Sequence, residues 1–227
     1  MSRITDRHID AVLDFDRQGR IGIGEAVFCE HKTPEQIDDI LGRFQERGAC
    51  CLLTRFPEEQ FAELPATRRA VLDYEPVSRT AFYGRTAEAR AGPNVAIVSA
   101  GSSDAPTALE AARTLEFNGI GHALFQDIGV AGLWRLLDRL DTLRGFSVMI
   151  AVAGMEGALF SVLGGLVRAP IIAVPTSIGY GVSAQGRLAL DSALGSCAPG
   201  VVAVNIDNGY GAACAALRLL NSIATNR

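Results

Sequence analysis

The sequence predicts an α/β protein: an open, doubly wound parallel sheet preceded by a small α/β appendage. Three observations carry that reading. Five strand-length runs in the second half are apolar throughout, helical patterns separate them in regular alternation, and the charged, mixed first third has no such beat. Strands with no polar alternation have both faces covered, and a helix after each strand makes the sheet parallel. Hydrophobic residues make up 48% of the 227 and charged ones 20%, which is enough apolar surface for one sizeable core and excludes a disordered chain.

The elements follow in order. Ile4, Ile9, Val12 and Leu13 fall on one helical face that ends near Gly19. Thr33-Pro34-Glu35-Gln36 reads as a capping box with proline in the first turn. Ala49 to Thr54 is a short apolar run of strand length, Phe61, Leu64, Val71 and Leu72 suggest a further helix, and Arg79 to Tyr83 a closing strand. Gly84 to Gly92 has no period and reads as a linker, placing an appendage at 1–90 and the larger domain at 91–227. In that domain the predicted strands are Val95 to Ser99, Gly121 to Phe125, Ser147 to Ala153, Ile171 to Val174 and Val201 to Asn205. The helices are Pro106 to Phe117, Leu133 to Leu143, Glu156 to Val167, Arg187 to Leu194 and Ala212 to Ile223.

A net charge of −4 leaves no basic surface to neutralise phosphate backbones, which argues against a nucleic-acid binder. Cys29, Cys50, Cys51, Cys197 and Cys214 form no C-x-x-C pair, as expected of free thiols in a reducing cytoplasm. Met1 to Asp14 is charged throughout, so no signal peptide is expected, and the longest apolar stretches are strand-length, too short for a bilayer.

In a doubly wound sheet the ligand sits beyond the carboxyl ends of the strands, so the following loops are the candidate site. Gly101-Ser102-Ser103-Asp104 is either a phosphate cradle or, through Ser103 or Asp104, a helix cap. Asp127 is placed to meet a ribose, a metal ion or a substrate, or equally to cap a helix. Glu156 stands between glycines in the apolar stretch Gly154-Met155-Glu156-Gly157; burial would raise its pKa toward acid/base use, and the following helix dipole would oppose that. Thr176, Ser177 and Gly179 line a polar, glycine-rich loop, and Asp207 and Asn208 open the last helix as ligands or caps. Cys197, in the small-residue turn Gly195-Ser196-Cys197-Ala198-Pro199-Gly200, has the setting of a reactive thiol, although buried inert thiols are commoner; Cys214, among alanines, reads as core. The three histidines, His8, His31 and His122, lie outside these loops, which argues against a Ser-His-Asp triad or a histidine-rich metal site.

Taken together, G-S-S-D-A-P-T-A, D-I-G-V-A-G-L, V-A-G-M-E-G-A-L, V-P-T-S-I-G-Y-G, S-C-A-P-G and V-N-I-D-N-G-Y-G-A-A, in that order over residues 95–214, resemble the LarB family. Those are the pyridinium-3,5-biscarboxylic acid mononucleotide synthases of nickel-pincer cofactor biosynthesis. More distantly the chain resembles the aminoimidazole ribonucleotide carboxylases of purine synthesis, but it lacks their catalytic histidine and H-L-P-G loop. From the LarB pattern it departs at Phe160, Trp134 and His31, where proline, histidine and glycine are usual.

The resemblance implies a PurE-like, flavodoxin-like three-layer domain. It implies carboxylation of nicotinic acid adenine dinucleotide at ring position 5 by carbon dioxide or bicarbonate, followed by phosphoanhydride hydrolysis that releases AMP. Cys197 matches the family's nucleophile and Glu156 its acid/base. Gly101, Ser102, Ser103 and Asp104 would hold a phosphate, with Asp127, Gly154, Met155, Thr176, Ser177, Gly179, Asp207 and Asn208 in the binding loops. A divalent ion such as magnesium would neutralise the diphosphate, and a closed homo-oligomer, an octamer among the forms, is expected. An aminoimidazole ribonucleotide carboxylase or mutase is the competing enzyme, and a non-catalytic nucleotide-binding regulator the competing binder.

Overall fold

A computed structural model describes residues 11–84 and 94–225. The predicted 84–92 linker falls outside these residues except for Gly84.

The larger domain is a five-stranded, all-parallel sheet. Its strands are β5 (Val95–Ser99), β6 (His122–Phe125), β7 (Val148–Ala153), β8 (Ile171–Pro175) and β9 (Val201–Ala203), in spatial order β6-β5-β7-β8-β9. The inner strands β5, β7 and β8 are buried at every residue, as their unbroken apolar runs require, whereas the edge strands are only half-buried. Helices α5 (Ala105–Phe117) and α10 (Gly209–Thr225) cover one face through Ala108, Ala111, Leu115, Ala213 and Leu217. The short helices α6 (Leu133–Leu137) and α7 (Leu140–Leu143), with α8 (Ala158–Leu166) and α9 (Arg187–Leu194), cover the other through Leu136, Leu143, Phe160, Leu163 and Ala193. The three-layer, flavodoxin-like arrangement is therefore as predicted. Its strand order reverses between β5 and β7, and their loops part there to open a crevice.

The first part is a four-stranded mixed sheet, β1 (Ala26–Phe28), β2 (Cys51–Thr54), β3 (Leu72–Glu75) and β4 (Thr80–Tyr83), in the order β1-β2-β4-β3. Helix α2 (Pro34–Glu46) packs Ile37, Ile40, Leu41 and Phe44 on one face of it. Its capping box forms as predicted: Gln36 N–H donates to Thr33 Oγ1 at 3.3 Å, and Thr33 N–H to Gln36 Oε1 at 3.0 Å. Three expectations need correction. The N-terminal helix does not extend through Val12 and Leu13: the only helix before β1 among the described residues is α1 (Arg17–Ile21). The helix expected across Phe61 to Leu72 is instead α3 (Glu58–Glu63) and α4 (Ala66–Arg69), because Pro65 breaks it, and Leu72 already belongs to β3. The stretch from Leu133 to Leu143 is likewise two short helices.

Leu52 and Phe82, cross-strand neighbours on the opposite face of the small sheet, are buried where it meets the larger domain. Phe82 lies against Phe117, and the Arg113 guanidinium sits 3.6 Å from its ring centroid while donating to the Asp73 carbonyl at 2.8 Å. Burying Phe82 contributes roughly 1.5–3 kcal/mol. Between the domains lies Glu110, 4% exposed, which accepts hydrogen bonds from the Thr54 hydroxyl on one oxygen and from Tyr210 N–H at 3.1 Å on the other. Desolvation pushes its pKa above the ordinary 4.5 despite those donors. An acid whose folded pKa is raised favours the fold most below its unfolded value and progressively loses that advantage as pH rises through the folded pKa. The Glu110→Gln variant should therefore show a flatter decline of stability between about pH 5 and about pH 8 than the parent, measured by urea unfolding at both pH values.

Candidate active site

The loops after β5, β6 and β7 surround a pocket of about 430 Å³ at the point where the strand order reverses. Its walls include Gly101, Ser102, Ser103, Asp104, Asp127, Gly154, Met155 and Glu156, so eight of the sequence-predicted site residues converge on one space. Ser102–Asp104 forms a single tight turn leading directly into α5, and all three of its residues line the pocket.

Asp104 proves to be a brace. It is 4% exposed; its Oδ2 accepts Gly101 N–H at 2.8 Å and its Oδ1 accepts the Thr176 hydroxyl at 2.7 Å. Burial raises its pKa, and the donors from Thr176, Gly101 and Gly154 work against that rise. One carboxylate thus ties together the loops after β5, β7 and β8, and Thr176, fully buried, acts as its partner. Gly154 completes the joint: a Cβ there would stand 2.2 Å from the Ile178 carbonyl oxygen and 2.7 Å from Thr176 Oγ1, while the neighbouring Met155 N–H donates to that same carbonyl at 2.8 Å. Gly154→Ala should destabilise the protein by about 1–3 kcal/mol, lowering Tm by about 2–4 °C for each kcal/mol, as read by calorimetry.

The remaining predicted residues separate by role. Asp127 is held by Arg135 at 2.5 Å on the pocket rim. Asp207 Oδ1 accepts Ser177 N–H at 2.8 Å, linking the β8 and β9 loops, and these two residues line an adjoining pocket rather than the first. Asn208 caps α10, its Oδ1 accepting Gly211 N–H at 2.7 Å. Gly179 packs on the Ser183 backbone, where a Cβ would come within 2.3 Å of the carbonyl oxygen. Glu156 is exposed at the mouth, just before Gly157, whose φ of +65° turns the chain into α8.

Cys197 stands apart from Glu156. The fold places it in the loop between α9 and β9, which feeds the amino end of a strand, whereas the pocket lies at the carboxyl ends. That loop is pinned to the flank of α8: Ser196 Oγ and Ser161 Oγ are 2.7 Å apart, and Ala198 lies against Gly164. Cys197 is exposed and belongs to neither of the two pockets described here. The other thiols differ. Cys29 and Cys51 are buried in the small domain, where desolvation pushes Cys29 up to about 12 and Cys51 higher still, and Cys214 packs half-buried against the main core as expected. Neither His31 nor His122 lines the pocket; His122 begins β6 at the far end of the sheet.

Sequence reasoning missed Arg55, Arg79 and Glu110, which line the adjoining pocket between the domains. Backbone strain marks both pockets. Of the six described non-glycine residues with positive φ, Arg55, Arg79 and Asp207 line the interdomain pocket and Asp127 and Met155 the first one. Such conformations are rare outside glycine and cluster at functional sites. As for magnesium, no group of three or more His, Cys, Asp or Glu among the described residues is arranged to hold a metal ion. Asp104 and Asp207 are already engaged by protein donors, so the residues present form no ready cage. An ion arriving with a diphosphate would keep several waters and take one or two carboxylates. No described helix is long and apolar enough to cross a membrane.

A nucleotide-sized crevice at the reversal of a flavodoxin-like sheet, walled by a Gly-Ser-Ser turn and an acidic residue, defines the class. Residues 94–226 match the AIR (aminoimidazole ribonucleotide) carboxylase family, so the larger domain is of the carboxylase type. Residues 5–85 match the LarB/PurE-like N-terminal domain, and with both domains present the chain belongs to the LarB family. It is 35% identical over 207 residues to the uncharacterized protein MJ0165 of Methanocaldococcus jannaschii, across 88% of this chain and 80% of that one.

Proposed function

We propose that the protein carboxylates the pyridinium ring of nicotinic acid adenine dinucleotide at position 5 and then cleaves the phosphoanhydride, releasing AMP and leaving pyridinium-3,5-biscarboxylic acid mononucleotide. The observation that carries this reading is the pairing of an acidic, histidine-free pocket around Glu156 with the LarB/PurE-like N-terminal domain.

The chemistry accounts for the residues. A pyridinium is electron-poor, and its carbon 5 cannot attack carbon dioxide. Addition of the Cys197 thiolate to carbon 4 forms an S–C bond and moves an electron pair to the ring nitrogen, giving a neutral dihydropyridine. Carbon 5 is then an enamine carbon; it bonds to carbon dioxide and leaves an iminium. Glu156 removes the proton from carbon 5, restoring the enamine. Expulsion of the thiolate breaks the S–C bond and returns the ring to a pyridinium. The balance is one ring C–H and one carbon dioxide converted to a carboxylate and a proton, with no net oxidation. Water then cleaves the anhydride. A serine-rich turn leading into α5 suits a phosphate of the reacting nucleotide.

This scheme needs Cys197 and Glu156 at one ring, and a closed homo-oligomer supplies the means: a second copy brings its exposed thiol to the first copy's pocket. The apolar side chains exposed near the pocket and the Cys197 loop, Trp134, Ile178, Tyr180, Val182 and Leu194, suit contact between subunits. The test is incubation of purified protein with the dinucleotide, bicarbonate and magnesium, followed by mass spectrometry. The expected products are the biscarboxylic acid mononucleotide and AMP in equal amounts. Turnover of aminoimidazole ribonucleotide with the dinucleotide untouched would transfer the protein to the purine reaction.

A further inference from the structure

Three of the left-handed non-glycine residues are joints of one hydrogen-bonded chain. Arg55, at a φ of +48°, follows β2 in the N-terminal domain; Asp207, at +55°, follows β9; Met155, at +53°, follows β7. The Arg55 guanidinium donates to the Asp207 carbonyl at 2.6 Å. Asp207 Oδ1 accepts Ser177 N–H at 2.8 Å, and the carbonyl of the next residue, Ile178, accepts Met155 N–H at 2.8 Å. Met155 leads directly to Glu156. Three hydrogen bonds therefore connect the N-terminal domain to the acidic residue at the mouth of the larger domain's pocket.

The first link is held at both ends. Asp207 N–H donates to the Pro175 carbonyl at 2.8 Å, and Glu110 bridges the flanking residues by accepting from the Thr54 hydroxyl and from Tyr210 N–H. The bond to the Asp207 carbonyl is charge-assisted and reaches across the domain boundary. The other ion pair of Arg55, to Glu30 at 3.4 Å, leaves both side chains about a third exposed and contributes little. A left-handed backbone at a residue with a side chain persists only where its surroundings over-determine it. Withdrawing the guanidinium removes one of the groups that fix Asp207, and with it the footing of Ser177, Ile178 and Met155.

We propose that Arg55 is a positioning residue for Glu156: through this chain the N-terminal domain sets the place of the acid/base carboxylate in the larger domain. The proposal rests on the reading of Glu156 as the base given above. Arg55→Met tests it, since methionine keeps an unbranched stem beside Phe28 and removes every donor. Amide exchange of the full-length protein, read by mass spectrometry on peptides covering 154–157 and 176–179, should quicken by about tenfold or more. Arg55→Lys retains a donor and should recover part of the protection. Arg113→Met is the comparison: it loosens the same domain contact at Phe82 and Asp73 and should leave both peptides at the parent rate. In the carboxylation assay Arg55→Met should lower kcat about tenfold with KM within about twofold of the parent. Added to Glu156→Gln it should cost less than about twofold more, because residues that act as a unit are not additive. Unchanged exchange in Arg55→Met, equal quickening in Arg113→Met, or losses that multiply in the double variant overturns the proposal. If the parent does not carboxylate the dinucleotide and exchange still answers to Arg55 alone, the functional reading falls and the coupling of Arg55 to the Glu156 loop stands.

Discussion

Cys197→Ser should fold as the parent does and lose carboxylation by several orders of magnitude, about 5 kcal/mol or more of barrier. The thiol is exposed on a loop whose anchors are its neighbours, Ser196 to Ser161 and Ala198 to Gly164, so replacing the sulfur removes no packing. What disappears is nucleophilicity: a serine alkoxide is scarcely present near neutral pH, and the ring is never converted to the enamine that attacks carbon dioxide. Single-turnover assay with labelled bicarbonate, alongside thermal unfolding, separates chemistry from folding. Cys214→Ala provides the contrast. That thiol packs half-buried against the main core, so its removal should cost some stability and little activity. The opposite pattern would reassign the nucleophile.

Glu156→Gln should cost a hundredfold or more in rate while leaving dinucleotide affinity close to the parent value. Glutamine keeps the shape at the exposed mouth of the pocket and removes only the proton acceptor. Because the thiolate still adds, this variant should accumulate a thiol–pyridinium adduct visible by intact mass and by dihydropyridine absorbance, which the serine variant cannot form. Combining the two gives a sharper result. The chain places Cys197 outside its own Glu156 pocket, so co-assembled Cys197→Ser and Glu156→Gln subunits should recover activity at up to about a quarter of the sites, where one wild-type residue comes from each. Recovery that never rises above the sum of the two variants would place both residues in the same subunit's site.

The large sheet was legible because inner parallel strands are buried on both faces: β5 and α9 have the predicted boundaries, and the other strands agree within a few residues. The small domain was less so. The three-residue β1 and the mixed Leu-Asp-Tyr-Glu of β3 carry no run long enough to distinguish them from loop, and their pairing is decided by β2 and β4. The pocket loops were legible for a topological reason, since the carboxyl ends of parallel strands lie on one edge. Cys197 does not follow that logic: with a helix to Leu194 and a strand from Val201, the order of elements already puts its turn at the amino end of a strand, away from the loops that wall the pocket. Arg55, Arg79 and Asp207 meet only when two domains dock, an event with no local period. Glu110 did leave a trace, a single carboxylate among the alanines and leucines of the buried face of α5.

The left-handed backbone at Arg55, Arg79, Asp127, Met155 and Asp207 bears on how this sequence can change. Each such residue costs of order 1–3 kcal/mol relative to a relaxed conformation, and glycine would relieve most of it. Selection for heat resistance alone would thus erode these positions toward glycine and remove the side chains that line both pockets. At these five positions a relaxed backbone and the side chains that line the two pockets are opposing demands on the sequence.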